Sequence, residues 1–296
     1  MDDCNGTLPF EGHRTWYCVI GDLHGPRPPL VVLHGGPGAP HDYLERYGDL
    51  ADGQRAVVFY DQVGCGRSTH LPDAPVTYWT LELFLRELDA VLAHLGIADR
   101  YAVLGQSWGG VLGSEHAVRR PAGLRALVIA DSPASIALWI SEANRLRAAL
   151  PPEVQATLLR HEADGTTADP AYTAACKVFN ARHLCRIDPV PEEVARTDAA
   201  LKANPQVYEA TNGPSEFHVI GTMREWSIVG RLHDIAVPTL LVSGRHDEAT
   251  PACVQPFFDE IPDVRWTIFE QSSHLPHVEE PELCLSVVRD FLDAHA

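Results

Sequence analysis

The sequence has 296 residues, 45 % of them hydrophobic and 21 % charged, which is typical of a folded globular protein. Its formal net charge of −17 argues against binding to nucleic acid or to an anionic membrane surface, since either needs a basic face. The chain also has no C-x-x-C pair, no apolar run of about 20 residues and no signal-peptide pattern, so we expect a cytoplasmic protein without a zinc site or a disulfide framework.

Short apolar runs alternate with helical patterns through the first 130 residues. Each run holds three or four consecutive apolar residues and stops at Gly, Asp or Ser, as a strand buried on both faces does. The runs are "PLVVLHG" (29–35), "RAVVFYD" (55–61), "YAVLGQS" (101–107) and "RALVIAD" (125–131). Between the second and third, residues 80–96 have the apolar periodicity of a helix, with Gly96 as its C-cap. The alternation predicts a mostly parallel, doubly wound α/β sheet.

The pattern changes after Ser132-Pro133. Residues 133–233 show helical stretches broken by prolines and no strong strand, and the buried-strand pattern then returns in "VPTLLVSG" (237–244) and "VRWTIFEQ" (264–271). A helical pattern closes the chain. We therefore predict one α/β core, residues 1–132 and 234–296, interrupted by a helical cap subdomain, residues 133–233.

The stretch "GQSWG" contains the G-x-S-x-G pattern, with Ser107 at its centre. It follows a predicted buried strand and opens a predicted helix, and a serine on so sharp a turn projects its hydroxyl over the edge of the sheet. The helix N-terminus adds backbone N–H groups that stabilise negative charge. The motif in this context predicts a nucleophilic serine.

A nucleophilic serine needs a base and an acid that orients the base. Asp247 follows the strand "TLLVSG", and His274 follows "RWTIFEQ", which gives the order Ser…Asp…His of α/β hydrolases. His277 is an alternative base, but His274 comes sooner after its strand. His246, next to the acid, is interpreted as a solvated loop residue.

Two backbone N–H groups are expected to hold the oxyanion. One belongs to Trp108, which follows the nucleophile, and the other to the loop "HGGPG", His34 to Gly38, which follows the first apolar run. The glycines of this loop allow a close approach of the backbone to a substrate.

These motifs together resemble the proline iminopeptidase type of serine peptidase, in the α/β-hydrolase fold. The likeness spans nearly the whole chain and rests on "HGGPG", "YDQVGCGRS" (60–68), "GQSWGG", "GRHDEATP" and "SSHLPHVEEPE". Gln62 distinguishes the second motif from the D-x-R-G of related esterases and epoxide hydrolases. The segment "NGPSEFHVIGTMREW" (212–226) resembles the part of the family's cap that brings a glutamate to the active site.

The resemblance implies an enzyme that removes one N-terminal residue and holds its free α-ammonium group with glutamates. The matching positions are Glu216 and Glu248, with Tyr208 adding a hydrogen bond near the amine. Gly36 matches the family's second oxyanion donor, beside Trp108.

The predicted function is therefore hydrolysis of a small peptide or aminoacyl amide with a free amino terminus, through an acyl-enzyme and without a cofactor or metal. Some relatives that resemble this sequence remove a protecting aminoacyl group in natural-product pathways, which is a narrower form of the same reaction. Two alternatives stay open: an esterase or lactonase of the same fold, and a non-catalytic binding protein. The sequence does not specify the first residue, the leaving amine or the oligomeric state.

Overall fold

A computed structural model describes residues 4–296. Its eight strands form one sheet in the order β1-β2-β4-β3-β5-β6-β7-β8. The strands are β1 Cys4–Phe10, β2 His13–Ile20, β3 Leu30–Leu33, β4 Val57–Asp61, β5 Tyr101–Gln106, β6 Leu124–Ala130, β7 Thr239–Gly244 and β8 Val264–Phe269. All six predicted strands are present, and β3 to β8 are parallel to one another.

The hairpin β1–β2 is an element that the sequence interpretation missed. The two strands pair antiparallel, and β2 pairs antiparallel with β4, so the hairpin lies at one edge of the sheet. Strand β2 is only half-buried and mixes polar with apolar residues. Such a strand lacks the continuous apolar run by which the buried parallel strands were recognised.

Ten α-helices accompany the sheet in the described chain. They are α1 Leu81–His94, α2 Trp108–Val118, α3 Ile136–Arg147, α4 Pro152–Ala163, α5 Pro170–His183, α6 Glu192–Ala203, α7 Gln206–Thr211, α8 Pro251–Glu260, α9 Pro276–Glu279 and α10 Pro281–His295. Helix α1 begins where Thr80 caps it by accepting a hydrogen bond from the Leu83 N–H (3.2 Å). It ends near Gly96, whose φ of +68° is the left-handed conformation that a glycine adopts easily.

The two faces of the sheet are covered by separate apolar clusters. In β3, Val31 and Leu33 belong to one cluster, whereas Leu30 and Val32 belong to the other. This alternation explains why the central strands are apolar at every position. Strand β8 differs from the prediction, because it lies at the sheet edge and most of its residues are only half-buried.

Between β6 and β7 the chain forms five helices, α3 to α7, in the region where the sequence predicts the cap. Helices α3, α4 and α5 share a third apolar cluster with the segment that contains Phe217 and Val219. This segment thereby packs against helices rather than against the sheet. The division into core and cap, with its boundaries at 132 and 234, remains a prediction.

No helix among residues 4–296 is both long enough and apolar enough to cross a membrane.

Candidate active site

Ser107 lies on a strained turn between β5 and α2. Its φ of 56° and ψ of −123° are rarely adopted by a residue that has a side chain. The turn is possible because glycines stand on either side: a Cβ at Gly105 would overlap the Gly109 carbonyl, and a Cβ at Gly109 would overlap the Leu33 carbonyl. The Ser107 N–H donates to Ala130 O (2.8 Å), which fixes the turn to the next strand. These features are those of a nucleophile elbow.

Gln106, just before the elbow, connects it to two other parts of the site. Its Nε2 donates to the main-chain oxygen of His274 (3.0 Å), and its Oε1 accepts from the Tyr43 hydroxyl (2.6 Å). The Tyr43 hydroxyl in turn accepts from the Gly35 N–H (2.7 Å). The position of the elbow is therefore coupled to the "HGGPG" loop and to the histidine loop.

Asp247 and His274 form a buried pair at the carboxyl ends of β7 and β8. The Nδ1 of His274 lies 2.7 Å from Oδ1 of Asp247, which also accepts from the Ala249 N–H (2.9 Å). Burial lowers the pKa of His274, but the charge of Asp247 and the hydrogen bond to it outweigh burial and raise that pKa above its usual value. The pair can thus accept and hold a proton at His274.

The structure brings Ser107 and His274 to one site but records no hydrogen bond between them in the described chain. The Nε2 of His274 lies instead 4.0 Å from Oε1 of Glu248. Contacts between a nucleophile and its base are often long before a substrate binds. The backbone of His274 is nevertheless fixed to the elbow through Gln106.

The two other histidines considered from the sequence form no hydrogen bond with this pair in the described chain. His277 is buried, its Nε2 donates to the main-chain oxygen of Tyr43 (2.9 Å), and burial lowers its pKa to about 3. His277 therefore has a structural partner of its own. His246 is exposed, as expected, and its main-chain oxygen lies 2.9 Å from Nδ1 of His183.

The backbone of the "HGGPG" loop borders the same cavity as the serine. Gly36 has a φ of +108°, and a Cβ there would come within 2.6 Å of the Gly38 nitrogen. Gly36 and Trp108 both line the cavity, and neither N–H is recorded as donating to another residue of the described chain. Two such groups beside a serine are available for a developing negative charge.

Gln62 distinguishes this sequence from the D-x-R-G motif of related enzymes. Its side chain connects the nucleophile elbow with the "HGGPG" loop. Its Oε1 accepts from the Trp108 indole N–H (2.9 Å), and its side-chain nitrogen donates to the main-chain oxygen of His34 (3.2 Å). Gln62 is itself buried. This amide therefore links the Trp108 side chain to the start of the "HGGPG" loop.

The cavity is an open cleft that encloses about 400 Å³ of space, part of it continuous with solvent, and one of its walls comes from the helical region. Besides Ser107 and the oxyanion loops, it is lined by Val111, Pro133, Ile136, Trp139, Asn212, Glu216 and Met223. The Trp139 indole N–H donates to the main-chain oxygen of Glu216 (2.6 Å), and its ring meets the His274 ring edge to face. Helix α3 therefore places Glu216 beside the histidine.

Glu248 has no hydrogen-bond partner on either carboxyl oxygen among residues 4–296, although its exposed fraction is 0 %. Burial, followed by the charges of Glu216 and Asp247, raises its pKa well above the usual value. Burial also raises the pKa of Glu216. The hydrogen bond to the Tyr208 side chain and the charge of His274 lower this pKa, but burial has the larger effect. A buried carboxyl group without a partner is costly, and a positively charged or donor group beside Glu248 would remove that cost.

Tyr208 is buried on α7 and interacts with the side chains of Glu216 and Asn212. Burial raises its pKa well above the usual value, so its hydroxyl stays protonated and can donate. The residues predicted from the resemblance, Tyr208, Glu216 and Glu248, thus come together in the structure. No cluster of three potential metal-ligating side chains is found within residues 4–296.

Glu279 is a contributor that the sequence interpretation missed. It accepts from the Ser273 N–H (2.5 Å) and from the Arg186 N–H (2.6 Å), which ties the histidine loop to the helical region. Trp139 and Tyr43 were missed as well. The motif "SSHLPHVEEPE" contains Glu279, but no local pattern reveals which acidic residue accepts these bonds.

The raised pKa of His274 predicts the pH dependence of hydrolysis. A base must be unprotonated, so activity should rise as pH increases through the His274 pKa. We expect the acidic limb of kcat/KM to have its midpoint above about 6.5, the usual imidazole value. A pH profile measured in the wild type and in His277→Gln tests this: the midpoint should be the same in both, and one below 6.5 would contradict the assignment.

Comparison with known proteins agrees with this architecture. A family model described as the alpha/beta hydrolase fold matches residues 28–281. The proline iminopeptidase of Lactobacillus helveticus is 35 % identical over 299 residues, covering 100 % of this chain and 99 % of its own. That of Saccharolobus solfataricus is 36 % identical over 277 residues, covering 94 % of this chain and 88 % of its own.

Two solved structures are closer in sequence. The crystal structure of VinJ shares 54 % identity with a TM-score of 0.97 and covers 99 % of both chains. The proline iminopeptidase of Mycobacterium smegmatis shares 50 % identity with a TM-score of 0.90 and covers 98 % of both. Sheet topology and family model together define an α/β hydrolase, which confirms the predicted fold class. Within this class the chain belongs to the proline iminopeptidase family and is an enzyme of the serine aminopeptidase type, as the sequence motifs indicated.

Proposed function

We propose that the enzyme removes a single N-terminal aminoacyl residue from a small peptide or aminoacyl amide through a covalent acyl-enzyme. The buried carboxyl group of Glu248, which has no hydrogen-bond partner in the described chain and lies 4.0 Å from Nε2 of His274, supports this proposal most strongly. A substrate ammonium group is the partner that such a carboxyl group lacks, and opposite charge favours the ionised form of a carboxyl group. Glu216 and Tyr208 complete the site for the amine.

In the first step, His274 removes the proton from Ser107, whose oxygen attacks the carbonyl carbon of the first residue. Asp247 holds the imidazole in orientation and stabilises the imidazolium that forms. The N–H groups of Gly36 and Trp108 donate to the oxyanion. The amide C–N bond then breaks as the leaving amine takes the proton from His274.

In the second step, water replaces the leaving amine. His274 removes a proton from the water, whose oxygen attacks the acyl carbon. The ester bond breaks, Ser107 regains its proton from His274, and the free amino acid leaves. No metal or cofactor takes part in either step. The carboxyl groups of Glu216 and Glu248 hold the ammonium group at a fixed distance from the scissile carbonyl throughout, which restricts cleavage to the first residue.

Hydrolysis of matched aminoacyl p-nitroanilides tests the proposal. We expect the wild type to cleave substrates with a free α-amine and to cleave their N-acetylated forms at least about 10²-fold more slowly in kcat/KM, because acetylation removes the charge and adds bulk. Equal cleavage of both series would contradict amine recognition. Preferential hydrolysis of simple acyl esters would identify an esterase instead.

A further inference from the structure

Asp131 is a buried acid that the mechanism above does not use. It follows β6 directly, has a φ of 50° and an exposed fraction of 0 %. Its N–H donates to Val242 O (2.8 Å) of β7, and its Oδ1 accepts from the Gly244 N–H (3.0 Å) at the end of β7. Its side chain is thus held at the start of the loop that carries Asp247.

The second oxygens of Asp131 and Asp247 lack ordinary donors. Neither Oδ2 atom receives a hydrogen bond from an N–H or hydroxyl group within residues 4–296, and both are buried. The two carboxyl groups instead lie in hydrogen-bonding contact with each other. Two carboxylates only accept hydrogen bonds, so this contact requires a proton on one of them.

We infer that Asp131 is a positioning residue that keeps its proton at neutral pH and donates it in a hydrogen bond to Oδ2 of Asp247. Asp247 is the acceptor because its Oδ1 already accepts two hydrogen bonds, from His274 and from the Ala249 N–H. Within the described residues, Asp131 accepts from the Gly244 N–H alone. The bond fixes the rotation of the Asp247 carboxylate and thus the orientation of His274. This role rests on the proposed function of Asp247.

The surroundings of Asp131 favour its neutral form. Burial has the largest effect on the pKa of Asp131 and the charge of Asp247 the second largest. Both raise this pKa well above the usual value. The other titratable groups that act on it or feel its charge are Glu279 of α9, Cys284 of α10, and Tyr43 and Tyr47 of the segment His41–Leu50. None of these groups is a cation. Among residues 4–296, the two histidines that interact with the pair, His274 and His183, interact with Asp247.

The stability of Asp131→Asn tests the protonation state without any assay of activity. If Asp131 is protonated in the folded chain and ionised in the unfolded chain, the wild type releases one more proton on unfolding than the variant. The ratio of unfolding constants, wild type over variant, should then rise about tenfold per pH unit above about pH 5. A ratio that does not change with pH would overturn the inference.

A second measurement covers the case in which the variant does not fold. In wild-type enzyme labelled with [4-¹³C]aspartate, infrared difference spectra against unlabelled enzyme should show the C=O band of a protonated aspartic acid at neutral pH. Glutamic acids carry no label and do not contribute. Absence of this band would overturn the inference, whatever the enzyme hydrolyses.

Activity distinguishes the donor role from a merely structural one. The amide of Asp131→Asn can donate to Asp247 and accept from Gly244, so kcat/KM should stay within about 3-fold of the wild type. Asp131→Ala removes a hydrogen bond to a charged group and should lose about 10- to 100-fold, mainly in kcat. An asparagine variant as impaired as the alanine variant would show that a charged Asp131 is needed and would overturn the inference. If neither the wild type nor the Asp131 variants hydrolyse aminoacyl amides, the proposed function is wrong. The pH dependence of stability and the infrared spectra still decide the inference about Asp131.

Discussion

Replacement of Ser107 by alanine is expected to lower kcat/KM toward a free aminoacyl p-nitroanilide by about 10⁴- to 10⁶-fold. The substitution removes the oxygen that forms the acyl-enzyme in our proposal, so binding and the oxyanion donors are left without a nucleophile. Ser107 sits at a φ of 56° on a turn that alanine can adopt at the same cost. The fold should therefore be retained, and circular dichroism and the Tm check this.

Ser132→Ala is the matched control for that variant. Ser132 is buried, whereas Ser107 is half-buried, and it follows the neighbouring strand β6. Its Oγ has no hydrogen-bond partner in the described chain. We expect its kcat/KM to stay within about 3-fold of the wild type, since the hydroxyl contacts no proposed reacting group. A Ser107→Ala enzyme that keeps more than about a tenth of the activity would contradict the covalent mechanism.

The second large effect is expected for Glu248→Gln. The change removes a charge but keeps the shape of a buried side chain that faces the substrate amine in our proposal. Removing one partner of a buried ion pair costs about 2–5 kcal/mol, so kcat/KM for free aminoacyl substrates should fall by about 30- to 4000-fold. Steady-state kinetics with alanyl and prolyl p-nitroanilide measure this loss.

Glu248→Gln should not be less stable than the wild type at neutral pH. Burial raises the pKa of Glu248, and a raised carboxyl pKa means that folding becomes less favourable as pH rises from the unfolded value toward the folded one. The amide has no such penalty. Glu142→Gln serves as the control: Glu142 accepts from the Thr250 hydroxyl (2.7 Å) beside the same loop, but its charged partner is Arg145 and not the catalytic histidine. Equal losses in both variants would argue for a general disturbance of the loop.

Much of the core could be predicted because its signals are local. Strands β3 to β7 are buried on both faces, which requires apolar runs such as Val31–Val32. Each run stops at the carboxyl end of its strand, and in a parallel sheet these ends lie along the same edge. The hairpin β1–β2 could not be recognised in this way, since an edge strand carries polar residues on its exposed side. The exposure of β8 depends on its place in the strand order, which no local pattern records.

In the candidate site, too, some residues could be predicted from local patterns and others depend on how distant elements pack. Ser107, Asp247 and His274 each come shortly after the end of a strand in the parallel sheet, so sequence order alone brings them to one edge. The positions of Glu216 and Tyr208 came only from resemblance, because they depend on how helices of the inserted region pack over the core. Asp131 also follows a strand, but its contact with Asp247 depends on the neighbouring placement of β6 and β7, which the sequence does not show.

The central claim, that buried glutamates select a substrate with a free amine, is tested most directly by two enzymes and two substrates. The enzymes are the wild type and Glu248→Gln, and the substrates are the p-nitroanilides of alanine and of propionic acid, which differ by the amine alone. We predict that the wild type prefers the alanine compound by at least about 10²-fold and that the substitution removes most of this preference. A substitution that slows both substrates equally, and so leaves the preference intact, would contradict the claim.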